Sequence, residues 1–244
     1  MQKLIVANWK MYLTLSQSIA LSNGITRSTL RDLRSTVVLC PSFIALEEVE
    51  KIIKDTPIKL GAQDIFCCDE RGAYTGEIGV DDLGELGVEY VLVGHSERRR
   101  YLKESDELIN QKLRVALRAG MRPILCVGEP LEIRNENKQK AYVRAQIKLG
   151  LAGVLKKDLK RVVIAYEPIW AISGNKGHVD NPEDAVEMHT HIRKIAGSLK
   201  IPILYGGSVN AKNASSFLQT PGIDGLLIGK ASTKASEFIK ICLS

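Results

Sequence analysis

"EYVLVGHSERRR" (89–100) carries an unbroken apolar run from Tyr90 to Val93, and beyond it a histidine backed by a glutamate and three arginines. An apolar run without polar alternation is the pattern of a parallel strand buried on both faces, because alternate side chains point to opposite sides and both sides are dry. The pattern recurs along the chain. "LIVAN" (4–8), "TVVLC" (36–40) and "IKLGA" (58–62) precede it; "RPILCVG" (122–128), "VVIAYE" (162–167), "IPILYG" (201–206) and "GLLIG" (225–229) follow. Amphipathic stretches between these runs predict helices over 16–30, 44–54, 80–86, 105–119, 138–155, 182–199, 211–218 and 233–243. In "DNPEDA" (180–185), Asn181 reads as an N-cap, with Pro182 at the first helical position and acids in the first turn. Eight strands, each followed by a helix and with no linker between, predict an α/β fold, a single-domain (β/α)8 barrel over 1–244. A doubly wound open sheet normally carries G-x-G-x-x-G after its first strand, and "ANWKMYL" (7–13) is nothing like it.

The 244 residues are 45% apolar and 25% charged, the composition of an ordinary globular protein. No apolar run approaches the roughly 20 positions of a membrane span, so no membrane partner is expected. "MQKLIVANWK" (1–10) enters a strand almost at once, leaving no room for a signal peptide and pointing to the cytoplasm. The five cysteines (Cys40, Cys67, Cys68, Cys126 and Cys242) form no C-x-x-C pair; Cys40 and Cys126 lie in apolar runs and read as small core residues. A structural zinc site is not expected, and reduced thiols fit the same compartment. The net charge of +6 suits an anionic substrate. Basic residues are scattered and aromatics make up only 5%, which argues against a nucleic-acid partner.

Active sites of such barrels lie at the C-terminal ends of the strands. Those ends carry Asn8 and Lys10 after the first run, His95 with Ser96 and Glu97 after the fourth, and Glu167 with Pro168 after the sixth. The last two runs lead into "YGGS" (205–208) and "IGKAS" (228–232), glycine turns whose exposed N–H groups suit a phosphate. Singly, each has an ordinary explanation: a packed histidine, a solvated lysine, a helix-start acid, a plain turn. Their joint placement argues for a site. A carboxylate facing a neutral imidazole and a lysine, beside a phosphate cradle, suits proton abstraction α to a carbonyl, with lysine and histidine stabilising the enediolate oxygen. No cofactor fingerprint and no metal motif accompany them; His189 and His191, two apart on a helix, do not share a face. Another phosphate-binding barrel, an aldolase or decarboxylating synthase, and a non-catalytic scaffold are the competing readings.

In "ANWKM" (7–11), "GAYTGE" (72–77), "GHSERR" (94–99), "CVGE" (126–129), "AYEPIWAI" (165–172) and "YGGSV" (205–209), the chain resembles the triosephosphate isomerase family over essentially its whole length. The resemblance implies interconversion of dihydroxyacetone phosphate and D-glyceraldehyde 3-phosphate, with no cofactor and no metal. Glu167 would be the base and His95 the neutral electrophile. Lys10 and Asn8 would polarise the substrate, and Glu97 would partner the lysine. Ser173, Ser208, Gly229 and Lys230 would hold the phosphate. Trp170 and Tyr166 match the hinge of the family's lid and Glu129 its closed-state partner. The 72–77 loop would dock into a second copy, giving a homodimer, with a tetramer as the alternative.

Two departures from the family pattern stand out. The lid "AISGNKGHVDNPEDA" (171–185) is longer than usual, and Ser173 stands where a glycine is common. Serine keeps the backbone N–H unless the turn needs positive φ. In "IGKAS", Lys230 replaces a second glycine; its backbone donor survives, and its side chain has either the phosphate or solvent to face.

Overall fold

The computed structural model describes residues 2–29, 35–172, 181–197 and 201–244, with backbone alone at 28 and 29. Among them run β1 (Leu4–Asn8), β2 (Thr36–Cys40), β3 (Lys59–Ala62), β4 (Tyr90–Val93), β5 (Arg122–Val127), β6 (Val163–Tyr166), β7 (Ile203–Tyr205) and β8 (Gly225–Ile228). Each pairs in parallel with the next, and β8 pairs with β1 from Leu4↔Gly225 to Ala7↔Ile228, closing a TIM barrel. All lie within the apolar runs of the sequence.

Closure explains why those runs do not alternate. Leu4, Val6, Val38, Cys40, Tyr90, Leu92, Ile124, Cys126, Val163, Ala165, Leu204 and Leu227 form a cluster made of strand residues alone, the filling of the barrel. The intervening residues, such as Ile5, Leu39, Val91 and Leu125, belong to a second cluster shared with the helices. Each fully buried Leu, Ile or Val contributes about 1.5–3 kcal/mol, so both sides of every strand must be apolar. Within the filling, Gly61 makes room for a neighbour: a Cβ there would lie 2.5 Å from Cys40 Sγ.

The helices are α1 (Leu15–Thr29), α2 (Leu46–Ile53), α3 (Val80–Glu85), α4 (Ser96–Tyr101) and α5 (Asp106–Arg118) in the first half. The second half supplies α6 (Leu131–Asn135), α7 (Gln139–Gly150), α8 (Pro182–Ala196), α9 (Ala214–Gln219) and α10 (Ala235–Cys242). The start of α8 is as expected: the Asn181 side chain accepts the Asp184 N–H at 2.8 Å, with Pro182 next in line. Three expectations need correction. Two short helices, α4 and α6, escape a search for long amphipathic periods. The helix expected over 138–155 stops at Gly150, where a Cβ would lie 3.0 Å from Leu125 Cδ2, and Gly153 at φ +70 turns the chain away. The start of the helix expected over 44–54 is a 3-10 turn, Phe43–Ala45, ahead of α2.

His189 on α8 is 1% exposed, with Nδ1 3.2 Å from the Gly222 carbonyl and its ring edge-on to Tyr166. The carbonyl accepts, so Nδ1 carries the proton, and Nε2 has no hydrogen-bond partner among the described residues. Protonating Nε2 would bury a charge and a donor without an acceptor; burial accordingly pushes the imidazole from 6.5 down to about 4. Its folded value lies below its unfolded one, so the unfolded chain binds the extra proton and stability falls as pH drops through that window. Between pH 7.5 and pH 5 the loss attributable to His189 should be about 2 kcal/mol. Urea unfolding at the two pH values should show His189→Asn, which keeps a donor for Gly222, losing that much less than wild type. Equal losses would show that His189 does not drive the acid sensitivity.

Candidate active site

Glu167 follows β6 and is 3% exposed. Its backbone N–H donates to Val127 O at 2.7 Å, continuing the β5–β6 ladder one residue past the strand. Two glycines give it room. A Cβ at Gly128 would fall 1.8 Å from Glu167 O, and one at Gly206 would fall 2.9 Å from Glu167 Cγ. The carboxylate takes His95 Nε2 at 3.0 Å on Oε1 and the Ser96 N–H at 3.2 Å on Oε2. Burial pushes its pKa up, and the charge and hydrogen bond of His95, the Ser96 N–H and Lys10 bring it below the ordinary value; a neutral His95 supplies the hydrogen bond alone. Glu167 is therefore ringed by donors that favour its ionised form. Against it lies the Cys126 thiol, which burial first and the carboxylate second keep protonated.

His95 caps α4. Its Nδ1 accepts the Glu97 N–H at 3.2 Å, one of the donors that a helix start leaves without an intrahelical partner. A ring nitrogen that accepts has no proton, so in this geometry the imidazole is neutral and its N–H sits on Nε2, aimed at Glu167. The arginines behind it are engaged elsewhere. Arg98 bonds Asp64 and Glu104, each at 2.8 Å, and Lys112 closes the ring at 2.7 and 2.5 Å. Arg99 pairs with Asp106 at 2.5 Å and donates to the Gly94 and Cys126 carbonyls, while Arg100 lies over the Tyr101 ring. They form structural pairs behind the mouth and fasten α4 to its neighbours.

Lys10 sits just beyond β1 at φ +51, a left-handed conformation that costs a lysine roughly 1–2 kcal/mol. Asn8 Oδ1 accepts its backbone N–H at 3.0 Å, and Gln63 Nε2 donates to its carbonyl at 2.9 Å and to Cys40 O at 3.0 Å. So held, Lys10 sends its ammonium to Glu97 Oε1 at 2.7 Å. Glu97 thus lies beside the Lys10 ammonium, and Asn8, expected to polarise the substrate, here accepts the Lys10 backbone N–H. Gln63 was not singled out; only the tertiary fold brings it to Lys10.

These groups share one cleft, lined by Asn8, Lys10, Tyr12, His95, Glu167, Ile172, Gly206, Gly207, Leu227, Gly229 and Lys230. Gly229 and Lys230 are thus at the mouth. Ser208 donates both its N–H and its hydroxyl to Ala171 O, at 3.0 and 2.7 Å. Ser173 lies outside the described residues, as does the lengthened lid from 173 to 180. Ahead of it, Trp170 Nε1 donates to Glu129 Oε1 at 2.9 Å, and the Tyr166 hydroxyl reaches both Glu129 oxygens at 3.1 and 3.2 Å. Arg134, absent from the sequence reading, lies over the Trp170 ring at 5.0 Å and 3.6 Å from Glu129 Oε1. Tyr12, Ile172 and Leu227 line the cleft without a sequence signal, since apolar and aromatic residues after a strand are ordinary. Among the described residues, no three His, Cys, Asp or Glu side chains could together hold a metal ion.

A closed parallel barrel with an ionised carboxylate, a neutral imidazole and a lysine at its mouth defines a proton-transfer site built for an anionic substrate. Comparison with known proteins agrees. The family model described as triosephosphate isomerase matches residues 3–244. The triosephosphate isomerases of Aquifex aeolicus and Dictyoglomus thermophilum are 44% and 42% identical over 250 residues, covering all of this chain and 100% and 99% of theirs. That of a Thermoanaerobacter species is 45% identical over 245 residues, 98% of this chain and 97% of its own. The chain belongs to the triosephosphate isomerase family.

Gly206→Ala tests whether the space beside Glu167 matters. The added methyl would meet Glu167 Cγ at 2.9 Å and Tyr166 O at 3.3 Å, so the carboxylate must shift. Displacements on this scale cost roughly tenfold or more in rate, so turnover of the family's reaction should fall while near-UV circular dichroism stays native. Undiminished turnover would show that Glu167 needs no such clearance.

Proposed function

We propose that this chain is a triose-phosphate isomerase, interconverting dihydroxyacetone phosphate and D-glyceraldehyde 3-phosphate in glycolysis and gluconeogenesis through an enediolate. The observation that carries the reading is the opposition of Glu167 Oε1 and the His95 Nε2–H at 3.0 Å, beside the Lys10 ammonium in one cleft. Without substrate these two groups satisfy each other. A substrate entering between them would present its carbon-bound hydrogen to the carboxylate and its oxygens to the imidazole N–H.

Glu167, ionised and stripped of water, takes the proton from one carbon and returns it to the next. Its negative charge disappears as the enediolate forms, and the growing oxyanion meets the His95 N–H and the Lys10 ammonium, fixed donors in a site that excludes water. His95 passes its Nε2 proton to one oxygen and recovers one from the other. Asn8 holds the Lys10 backbone, and Glu97 orients both the ammonium and, through its N–H, the imidazole. A lysine paired this closely with a carboxylate is a poor nucleophile, which weighs against a Schiff-base aldolase.

The phosphate is held at the ends of β7 and β8, by backbone donors around Gly229 and Lys230, with Ser173 and Ser208 contributing when the lid closes. For Ser208 this means giving up Ala171 O. A homodimer is supported by a run of exposed apolar side chains: Met11 is 95%, Ile44 75%, Tyr101 68%, Leu102 59% and Tyr74 44% exposed. They follow β1, β2, β3 and β4, so they occupy one sector of the mouth, and a patch of that kind marks an interface. The 72–77 loop carries Tyr74, its ring tilted against that of Phe66 with centroids 4.6 Å apart. All five cysteines are free thiols, which favours the cytoplasm, and among the described residues no helix is long and apolar enough to cross a membrane.

The test is a coupled assay in which a dehydrogenase consumes one triose phosphate as the other is supplied. Wild type should turn over, and Glu167→Asp, which withdraws the carboxylate by about 1 Å, should lose roughly 10²-fold in turnover while remaining folded. No conversion by the wild type would overturn the assignment. Near-normal turnover by the variant would remove Glu167 from the role of base.

A further inference from the structure

We propose that the Lys230 side chain is a second cation at the phosphate end of the cleft and makes this chain selective for doubly charged oxyanions. The inference rests on the reading that the cleft takes a phosphate ester, and concerns the side chain at a position where relatives commonly carry a glycine. Lys230 opens the 3-10 turn Lys230–Thr233 directly after β8, and it lines the same cleft as Lys10, Gly207 and Gly229. Among the described residues, Lys10 has Glu97 at 2.7 Å, and Arg98 and Arg99 have carboxylates at 2.5–2.8 Å. No carboxylate comes within ion-pair distance of Lys230 among the described residues, although its side chain is long enough to sweep the rim.

Lys10 reaches the same turn from the other side. Its Cε and Nζ lie 3.3 and 3.7 Å from where a Cβ on Gly229 would stand, one residue before Lys230. Lys10 therefore stands against the glycine turn from which Lys230 projects, and only Lys10 has a carboxylate partner among the described residues. An anion seated at this turn lies within reach of both side chains, and a dianion gains about twice as much from the pair as a monoanion does. Among the described residues lining the cleft the one carboxylate is Glu167, bonded to His95 and the Ser96 N–H, so the field runs from negative at the base to positive at the phosphate turn. That gradient orients a substrate with a dianionic end and admits free inorganic phosphate as a competitor.

The test compares wild type with Lys230→Gln, Lys230→Arg and the family-like Lys230→Gly, reading KM, kcat and the inhibition constant of inorganic phosphate. An ammonium at an exposed rim is worth modest energy, so Lys230→Gln and Lys230→Gly should raise KM and the phosphate inhibition constant by the same factor, roughly three- to tenfold at low salt. The change in kcat should be smaller, and Lys230→Arg should stay near wild type. Raising salt from about 20 mM to about 200 mM should shrink the difference, because the Debye length falls below the reach of the rim. Calorimetric titration of wild type and Lys230→Gln with inorganic phosphate reads the same contrast without turnover, so it decides the role of Lys230 even if the chain isomerises no triose phosphate. KM and phosphate affinity equal to wild type at low salt would overturn the proposal. So would a fall in kcat with phosphate affinity unmoved, the mark of a purely structural role.

Discussion

An ionised carboxylate buried at the end of β6 is the constraint from which the rest of the mouth follows. Left alone, Glu167 would cost several kcal/mol, and only close donors and charges offset that. The His95 N–H, the Ser96 N–H and Lys10 supply them, and each brings a requirement of its own. His95 must present Nε2, so its other nitrogen is tied to the start of α4. Lys10 must reach in from β1, so its backbone is held left-handed by Asn8 and Gln63. Gly128 and Gly206 leave room on either flank. Closing the barrel is what lets strands far apart in sequence deliver these groups to one point.

The arginines after His95 look at first like the source of its neutrality, and the geometry says otherwise. Arg98 belongs to a ring with Asp64, Glu104 and Lys112, whose charges cancel, and Arg99 is tied to Asp106 and two carbonyls. What the imidazole meets at Nδ1 is the Glu97 N–H, a donor that requires this nitrogen to accept. The arginines act one step back, anchoring the helix that provides this donor. In the ring, Asp64, Glu104 and Lys112 are buried, so removing one member would leave another uncompensated, a strong reason for α4 to stay where it is.

The strands were legible because burial on both faces forbids polar alternation, and that leaves a mark in one dimension. Glu167, His95, Lys10 and Asn8 were legible because the fold places function at strand ends, and the residue types there fit one chemistry. The helix α4 was not: six residues whose one buried side chain is Ser96 give no apolar period, and its cap is the catalytic candidate itself. α7 ends at Gly150, and the tight fit of that glycine against Leu125 is a contact no local pattern encodes. Gln63, Arg134 and Tyr12 act through neighbours distant in sequence, so their types alone carried no signal. Lys230 was visible as an oddity, and only its place beside Lys10 gives the oddity a direction.

The central claim is that one carboxylate lifts a proton from carbon and returns it through an enediolate, rather than a hydride passing directly between carbons. Isomerisation of dihydroxyacetone phosphate in heavy water, followed by proton NMR of the product, tests it most directly. A carboxylate that holds the proton while the enediolate lives can exchange it with solvent. The account therefore predicts product with deuterium at carbon 2, alongside a minority that retains the substrate's own hydrogen. Complete retention of that hydrogen, with no deuterium incorporated at any extent of reaction, would contradict it.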